Sequence, residues 1–141
     1  MKKLFLIMAA VTLFFAGCKS ITPEIEGDWQ TAKLEINGVE QELVMSEITL
    51  TQKDGAAYSI DGDSGVNRFF GDVKVSGSSF KVQDNIGSTK MAGDPASMKF
   101  EDIFIQALLS ASLWEKIDEG SSVLLKLTDK NGKHILTFTK K

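Results

Sequence analysis

The side chains able to do chemistry are few and scattered. The single histidine, His134, falls in an alternating stretch on the same side as Leu136 and Phe138. No serine or cysteine pairs with it by sequence, so it reads as a strand histidine near a sheet end. One His and one Cys cannot supply the usual zinc ligand sets. Asp61-Gly62-Asp63-Ser64-Gly65 begins like a calcium loop. Its fifth position lacks a ligand, its glycine comes one place early, and Asp72 stands where the twelfth-position Glu belongs, so it reads as a turn. Glu101 and Asp102 are neighbouring carboxylates expected on a helix surface. Gly62, Gly65 and Gly71 are separated by strand-like sequence and open no helix, so they form no phosphate loop. The expectation is a protein that is not an enzyme and uses no cofactor and no metal.

Asn67 and Arg68 remain. An Asn in a bend can bond its own backbone and tolerate unusual dihedrals. Arg68 is the one arginine of the chain, and its planar fork could pin a carboxylate or backbone carbonyls. The plainer reading is a structural corner, with Gly65 and Gly71 allowing tight backbone approach.

Cys18 has chemistry of another kind. Lys2 and Lys3 precede an apolar run of 12 residues, Leu4 to Phe15, interrupted only by Thr12. Ala16 and Gly17 follow, then Cys18. A basic start, a short apolar core and a small-residue cut site form a secretory signal. A spanning helix needs about 20 apolar residues, so this run is too short for one. Phe15-Ala16-Gly17-Cys18 resembles the lipobox of bacterial lipoproteins, with Phe15 where Leu is more usual. The resemblance implies cleavage after residue 17 and acylation of Cys18, as with palmitate. Two or more acyl chains anchor a protein stably. Residues 18–26 read as a lipidated tether of about 26 Å at roughly 3.3 Å per residue after the Cys. Lys19 and Ser20 carry no acidic retention or export signal. That sets the expected location at the outer membrane, facing the periplasm.

The mature chain of 124 residues is one domain's worth. The 16 basic residues less Lys2 and Lys3 leave 14 against 19 acidic ones, a formal charge of −5. With no basic stripe, nucleic acid is excluded as a partner. Because Cys18 is the only cysteine, the fold must hold without a disulfide.

From residue 27 onward the pattern is mainly β. Trp29, Thr31, Lys33 and Glu35 alternate with Gln30, Ala32, Leu34 and Ile36, and Asn37-Gly38 is a hairpin turn. Further strand pairs turn at Lys53-Asp54-Gly55, at Gly77 and at Asp129-Lys130-Asn131-Gly132. One segment differs. Phe100, Ile103, Phe104, Ala107, Leu108 and Ala111 make a helical stripe, with Asp94 as cap and Pro95 in the first turn. The spacing predicts a helix over 95–113. The fold class is therefore mainly β (α+β), a small antiparallel β-barrel or half-barrel with one helix packed against it.

Gly65-Val66-Asn67-Arg68-Phe69-Phe70-Gly71 resembles the G-C-N-R-F/Y-x-G signature of the META domain, or HslJ-like, family. Ser88-Thr89-Lys90-Met91-Ala92-Gly93 is similar to its second block, S-T-R/K-M-A-C. Glu101 with Phe104 and Leu108 fits the following helix, Trp29 the opening tryptophan, and residues 123–139 the closing strands. The resemblance places a META-like domain over 27–141 and points to Gly65, Asn67, Arg68, Gly71, Thr89 and Met91 as motif positions. It implies a small barrel in a bacterial envelope protein, linked in relatives to stress responses, and no shared catalytic mechanism. Val66 and Gly93 stand where relatives often have Cys, so no cysteine-dependent role of the family applies here.

Two functions fit. One is a non-catalytic envelope lipoprotein that binds a protein partner or supports envelope maintenance or stress tolerance. The other is a barrel carrier of a small apolar ligand, with Phe69, Phe70, Phe80, Phe100 and Phe104 lining the cavity. An accessible apolar cavity favours the carrier. A filled barrel with an exposed apolar patch favours the partner.

Overall fold

The computed structural model describes residues 24–83 and 86–141. Cys18 and the signal segment lie outside the described residues. The strands are β1 (Gly27–Ile36), β2 (Val39–Glu40), β3 (Glu47–Asp54), β4 (Ala57–Asp63), β5 (Arg68–Ser76), β6 (Ser79–Val82) and β7 (Gly87–Ser88), then β8 (Ala111–Asp118), β9 (Val123–Asp129) and β10 (His134–Lys140). The helix α1 (Pro95–Ser110) stands between β7 and β8. Antiparallel pairing runs β10-β9-β8-β6-β5-β4-β3-β1, and β1 pairs back with β10. The sheet thus closes into a barrel of eight strands, with β2 and β7 as short additions beside β1 and β5.

The turn chemistry places the hairpins as the sequence suggests. Asn37 and Gly38 both take positive φ, 52° and 77°, between paired Ile36 and Val39. That is the two-residue turn whose twist matches the flanking strands. Strict alternation fails in β1, however. The register with β10 skips Ala32, between Thr31↔Phe138 and Lys33↔Thr137. This bulge shifts the phase by one residue. Trp29 and Leu34, on opposite sides in a regular strand, are both fully buried as a result.

Ile25 lies in the segment read as tether, yet it is fully buried and its carbonyl accepts the Trp29 Nε1–H at 2.9 Å. Packing of the domain therefore starts before Gly27. The described core draws on residues from Ile25 to Phe138, so the domain carries its own core.

The barrel is weakest between β6 and β8, where Ser79↔Leu113 is the single register pair. Trp114 reinforces this seam, donating its backbone N–H to Ser78 O at 2.9 Å and its indole N–H to Gly77 O at 2.8 Å. Helix α1 packs toward β6, β9 and β10. Asp94 caps it, accepting the Ser97 N–H at 3.0 Å, with Pro95 in the first turn. Its Phe100, Phe104, Ala107 and Leu108 are buried. Phe104 sits among Phe100, Phe69 and Phe138, at ring-centroid separations of 5.9, 6.0 and 6.4 Å.

The helix ends at Ser110, three residues short of the expected end, and β8 follows at once. Ala111 completes the apolar stripe but is already a strand residue with ψ 132°. A register shift between Ala111 and Leu113 blurs the alternation of β8. The helical stripe therefore runs on past the end of the helix into this strand.

Phe104→Ala should cost about 3–5 kcal/mol, the usual loss for truncating a buried Phe. Urea midpoints of the unlipidated chain 19–141 measure this. A loss below about 1 kcal/mol would show that Phe104 does not hold helix to barrel.

Candidate functional site

The two motif blocks meet at one buried carboxylate. Ser64 and Asn67 bracket the turn from β4 to β5, closed by the Ser64 N–H on Asn67 O at 2.9 Å. Gly65 inside this turn has φ 113°, which L side chains rarely adopt. A Cβ there would also press on Phe100 and Val44 at 3.3 Å. From across the structure, α1 presents Glu101, which is only 6% exposed. Glu101 Oε1 accepts the Asn67 N–H at 3.0 Å and the Ser64 hydroxyl, and Oε2 accepts Asn67 Nδ2–H at 2.9 Å.

The Asn67 side chain then reaches the second block. Its Oδ1 accepts the Met91 N–H at 2.7 Å and the Thr89 hydroxyl at 3.0 Å. Its Nδ2 also donates to Met91 O at 3.1 Å. Both amide hydrogens and both acceptor positions of Asn67 are therefore engaged. Thr89 adds its N–H to Arg68 O at 3.0 Å and accepts the Arg68 N–H at 3.1 Å. No buried side-chain nitrogen or oxygen among the described residues lacks a partner.

The structure thus brings Gly65, Asn67, Thr89 and Met91 together, with Ser64 and Glu101 added. Glu101 is not on the helix surface, as the sequence reading had it. The signal was present: Glu101, Phe104 and Leu108 fall at i, i+3 and i+7, on the buried face. Arg68 joins the cluster through its backbone alone. Its guanidinium is exposed, 3.8 Å from the Asp61 carboxylate, where an ion pair contributes little. Gly71 lies in β5 opposite Ile60. Ser64 is 1% exposed, and its hydroxyl meets Glu101.

His134 serves another corner. Asp129, at the end of β9, accepts the backbone N–H groups of Asn131, Lys133 and His134 at 3.1, 2.7 and 3.1 Å, and its Oδ2 lies 2.9 Å from His134 Nδ1. Burial pushes the Asp129 carboxyl up. The hydrogen bonds from the His134 ring and the turn's N–H groups, with the His134 charge, outweigh it and hold the carboxyl below the usual carboxylate range. No group of three or more His, Cys, Asp or Glu side chains among the described residues is placed to hold a metal.

The barrel interior is filled. Phe69, Phe80, Phe100 and Phe104 are buried core, while Phe70 is exposed. An open groove of about 800 Å³ lies between α1 and residues 86–92, beside the Asn67–Glu101 cluster. Another, of about 490 Å³, lies by Lys53, Tyr58 and Asp72.

The META domain family model matches residues 21–141. The chain belongs to the META domain family. The match starts ahead of β1, in keeping with the buried Ile25. Among solved structures, the META domain is similar to the NMR structure of a protein from Burkholderia xenovorans. That likeness has 20% identity, covers 82% of each chain and has a TM-score of 0.69, and it concerns the fold alone. No curated protein matches the chain.

Val66 and Gly93, where relatives often have Cys, are in contact in this META domain. A Cβ built on Gly93 lies 3.5 Å from Val66 Cβ, within the span of a disulfide. In the chain 19–141, which holds no other thiol, Val66→Cys with Gly93→Cys should oxidise to a disulfide. Loop closure across this interval would stabilise by up to about 3.5 kcal/mol, reversed by reduction. Thiol titration and denaturation midpoints read both. Two titratable thiols after air oxidation would contradict the placement.

Proposed function

We propose that this is a lipid-anchored, non-catalytic envelope protein whose META domain binds a protein partner on its outer surface. One observation carries the reading: the barrel is filled, while apolar side chains are exposed outside it. Met91 and Leu109, 62% and 46% exposed, face the groove between α1 and residues 86–92. A carrier of apolar ligands needs a hollow interior, and four of the five side chains expected to line one, Phe69, Phe80, Phe100 and Phe104, form the core instead. Partner binding needs an exposed apolar patch on a rigid scaffold, which the groove supplies.

The anchor rests on the lipobox-like Phe15-Ala16-Gly17-Cys18. No helix among the described residues is long and apolar enough to cross a membrane. Lys19 and Ser20 after the cysteine carry no acidic signal, which supports the outer membrane, facing the periplasm, as the proposed location. The mature chain carries a formal charge of −5, so anionic headgroups repel it weakly.

Two measurements test these statements. Cys18→Ser should abolish labelling by a fatty-acid analogue and leave an unprocessed precursor; equal labelling of the variant refutes the anchor. A photoreactive residue at Leu109 in intact cells should give a discrete protein adduct, and one at exposed Thr51 should not. Equal adducts at both positions would remove the groove as the recognition surface.

A further inference from the structure

Strand β8 outruns its neighbour at the weak seam. Its pairing with β6 stops at Ser79↔Leu113, and the Trp114 N–H then reaches Ser78 O in the β5–β6 turn at 2.9 Å. Beyond that point β8 keeps only its ladder with β9, through Glu115↔Lys126, Lys116↔Leu125, Ile117↔Leu124 and Asp118↔Val123. Backbone groups alternate in direction along an antiparallel strand. Lys116 and Asp118 therefore turn their N–H and C=O groups to the same side as Trp114, away from β9. Among the described residues no strand or turn meets them there. This stretch is an unpaired sheet edge, a template for another strand.

The edge does not suit an arbitrary strand. Lys116 lies opposite buried Leu125, so its side chain is on the inner face of the sheet, and its Nζ meets the exposed Glu24 carboxylate at 3.6 Å. An inward charge on an edge strand discourages pairing unless the incoming strand brings a countercharge. This chain's own edge brings one. Two copies of an antiparallel edge meet about a twofold axis, with backbone groups of like direction facing each other. With the axis at Ile117, Lys116 faces Asp118 of the second copy, and Asp118 faces Lys116 of the second copy. Each Lys–Asp pair then exchanges both of its backbone N–H···O bonds. Ile117 meets Ile117 of the second copy on the outer face, beside half-buried Leu124 and with Leu113, 48% exposed, farther along. Glu115 faces Glu119 of the second copy beyond the strand's end, but Lys126 stands opposite Glu115 in β9. Moving the axis to Lys116 would set two lysines against each other, a destabilising pair. The charges therefore select one register.

We propose that the free edge of β8 pairs with a second copy of this chain, antiparallel about Ile117, with reciprocal Lys116–Asp118 contacts. The inference is independent of the groove beside α1. The open stretch is short, bounded by Trp114 and by the turn after Asp118, and it buries far less than the roughly 1,200 Å² of a standard interface. The dimer is therefore weak in solution. The proposed lipid anchor would confine two copies to one surface and raise their effective concentration.

Sedimentation of the unlipidated chain 19–141 at physiological salt tests this. Monomer should give way to dimer between about 10 µM and about 1 mM. Lys116→Asp alone and Asp118→Lys alone should each weaken association at least about tenfold, because like charges then face each other. An equimolar mixture of the two variants should recover it, since each supplies the charge that the other lacks. The register is read by cysteine pairing, as the chain 19–141 has no thiol of its own. Ile117→Cys should oxidise to a disulfide-linked dimer, and Glu115→Cys, whose two copies lie well apart in this register, should not. Asp118 also accepts the Gly120 N–H at 2.9 Å, so should Asp118→Lys not fold, Lys116→Asp and the cysteine contrast decide. A chain that stays monomeric to about 1 mM overturns the proposal. So does association that the single charge changes leave intact, a mixture no more associated than its components, or equal disulfide formation at positions 115 and 117.

Discussion

Three segments far apart in sequence converge on the Glu101 carboxylate. The β4–β5 turn supplies Ser64 and Asn67, the crossing segment supplies Thr89 and Met91 through the Asn67 amide, and α1 supplies the carboxylate itself. In a low dielectric each of these bonds is strong, and each unmade one is costly, on the order of 1–3 kcal/mol per orphaned group. A buried polar network of this kind is favourable only when complete. This one is complete among the described residues.

The dependence of the fold on this cluster follows from the topology. The barrel closes well between β1 and β10, where seven residue pairs align, and poorly between β6 and β8, where one does. Helix α1 packs near that seam, and its aromatic face reaches inward to Phe69 and Phe138. Hydrophobic burial holds the helix down but does not fix its rotation or axial position, because apolar contact is non-directional. Directional hydrogen bonds to Glu101 do. They set which face of α1 turns to the core and which is left to line the groove, so the latch and the candidate binding surface are two sides of one helix.

Much of this was legible in the sequence. The turn residues, the helix start at Asp94-Pro95 and the mainly β pattern all have local causes, and local causes can be read from a single chain. The two motif blocks around Asn67 and Thr89 also stood out. Other features were hidden because their causes are tertiary. The bulge at Ala32 exists so that Trp29 and Leu34 can both enter the core, and nothing in residues 29–36 announces it. The end of α1 was overrun because Ala111 fits the helical stripe equally well. Glu101 was read as a surface charge because a buried carboxylate makes sense only once its donors, 34 and 37 positions away, are in place.

The proposed recognition surface lies on α1, and the Asn67–Glu101 contact holds that helix to the β4–β5 turn. The most direct measurement of that claim is a double-mutant cycle on the chain 19–141, with Asn67→Ala, Glu101→Ala and the pair, read by urea denaturation. The account predicts a coupling energy of about 1–3 kcal/mol between the two sites, with the double variant losing less than the sum of the single losses. Additivity to within about 0.5 kcal/mol would contradict it.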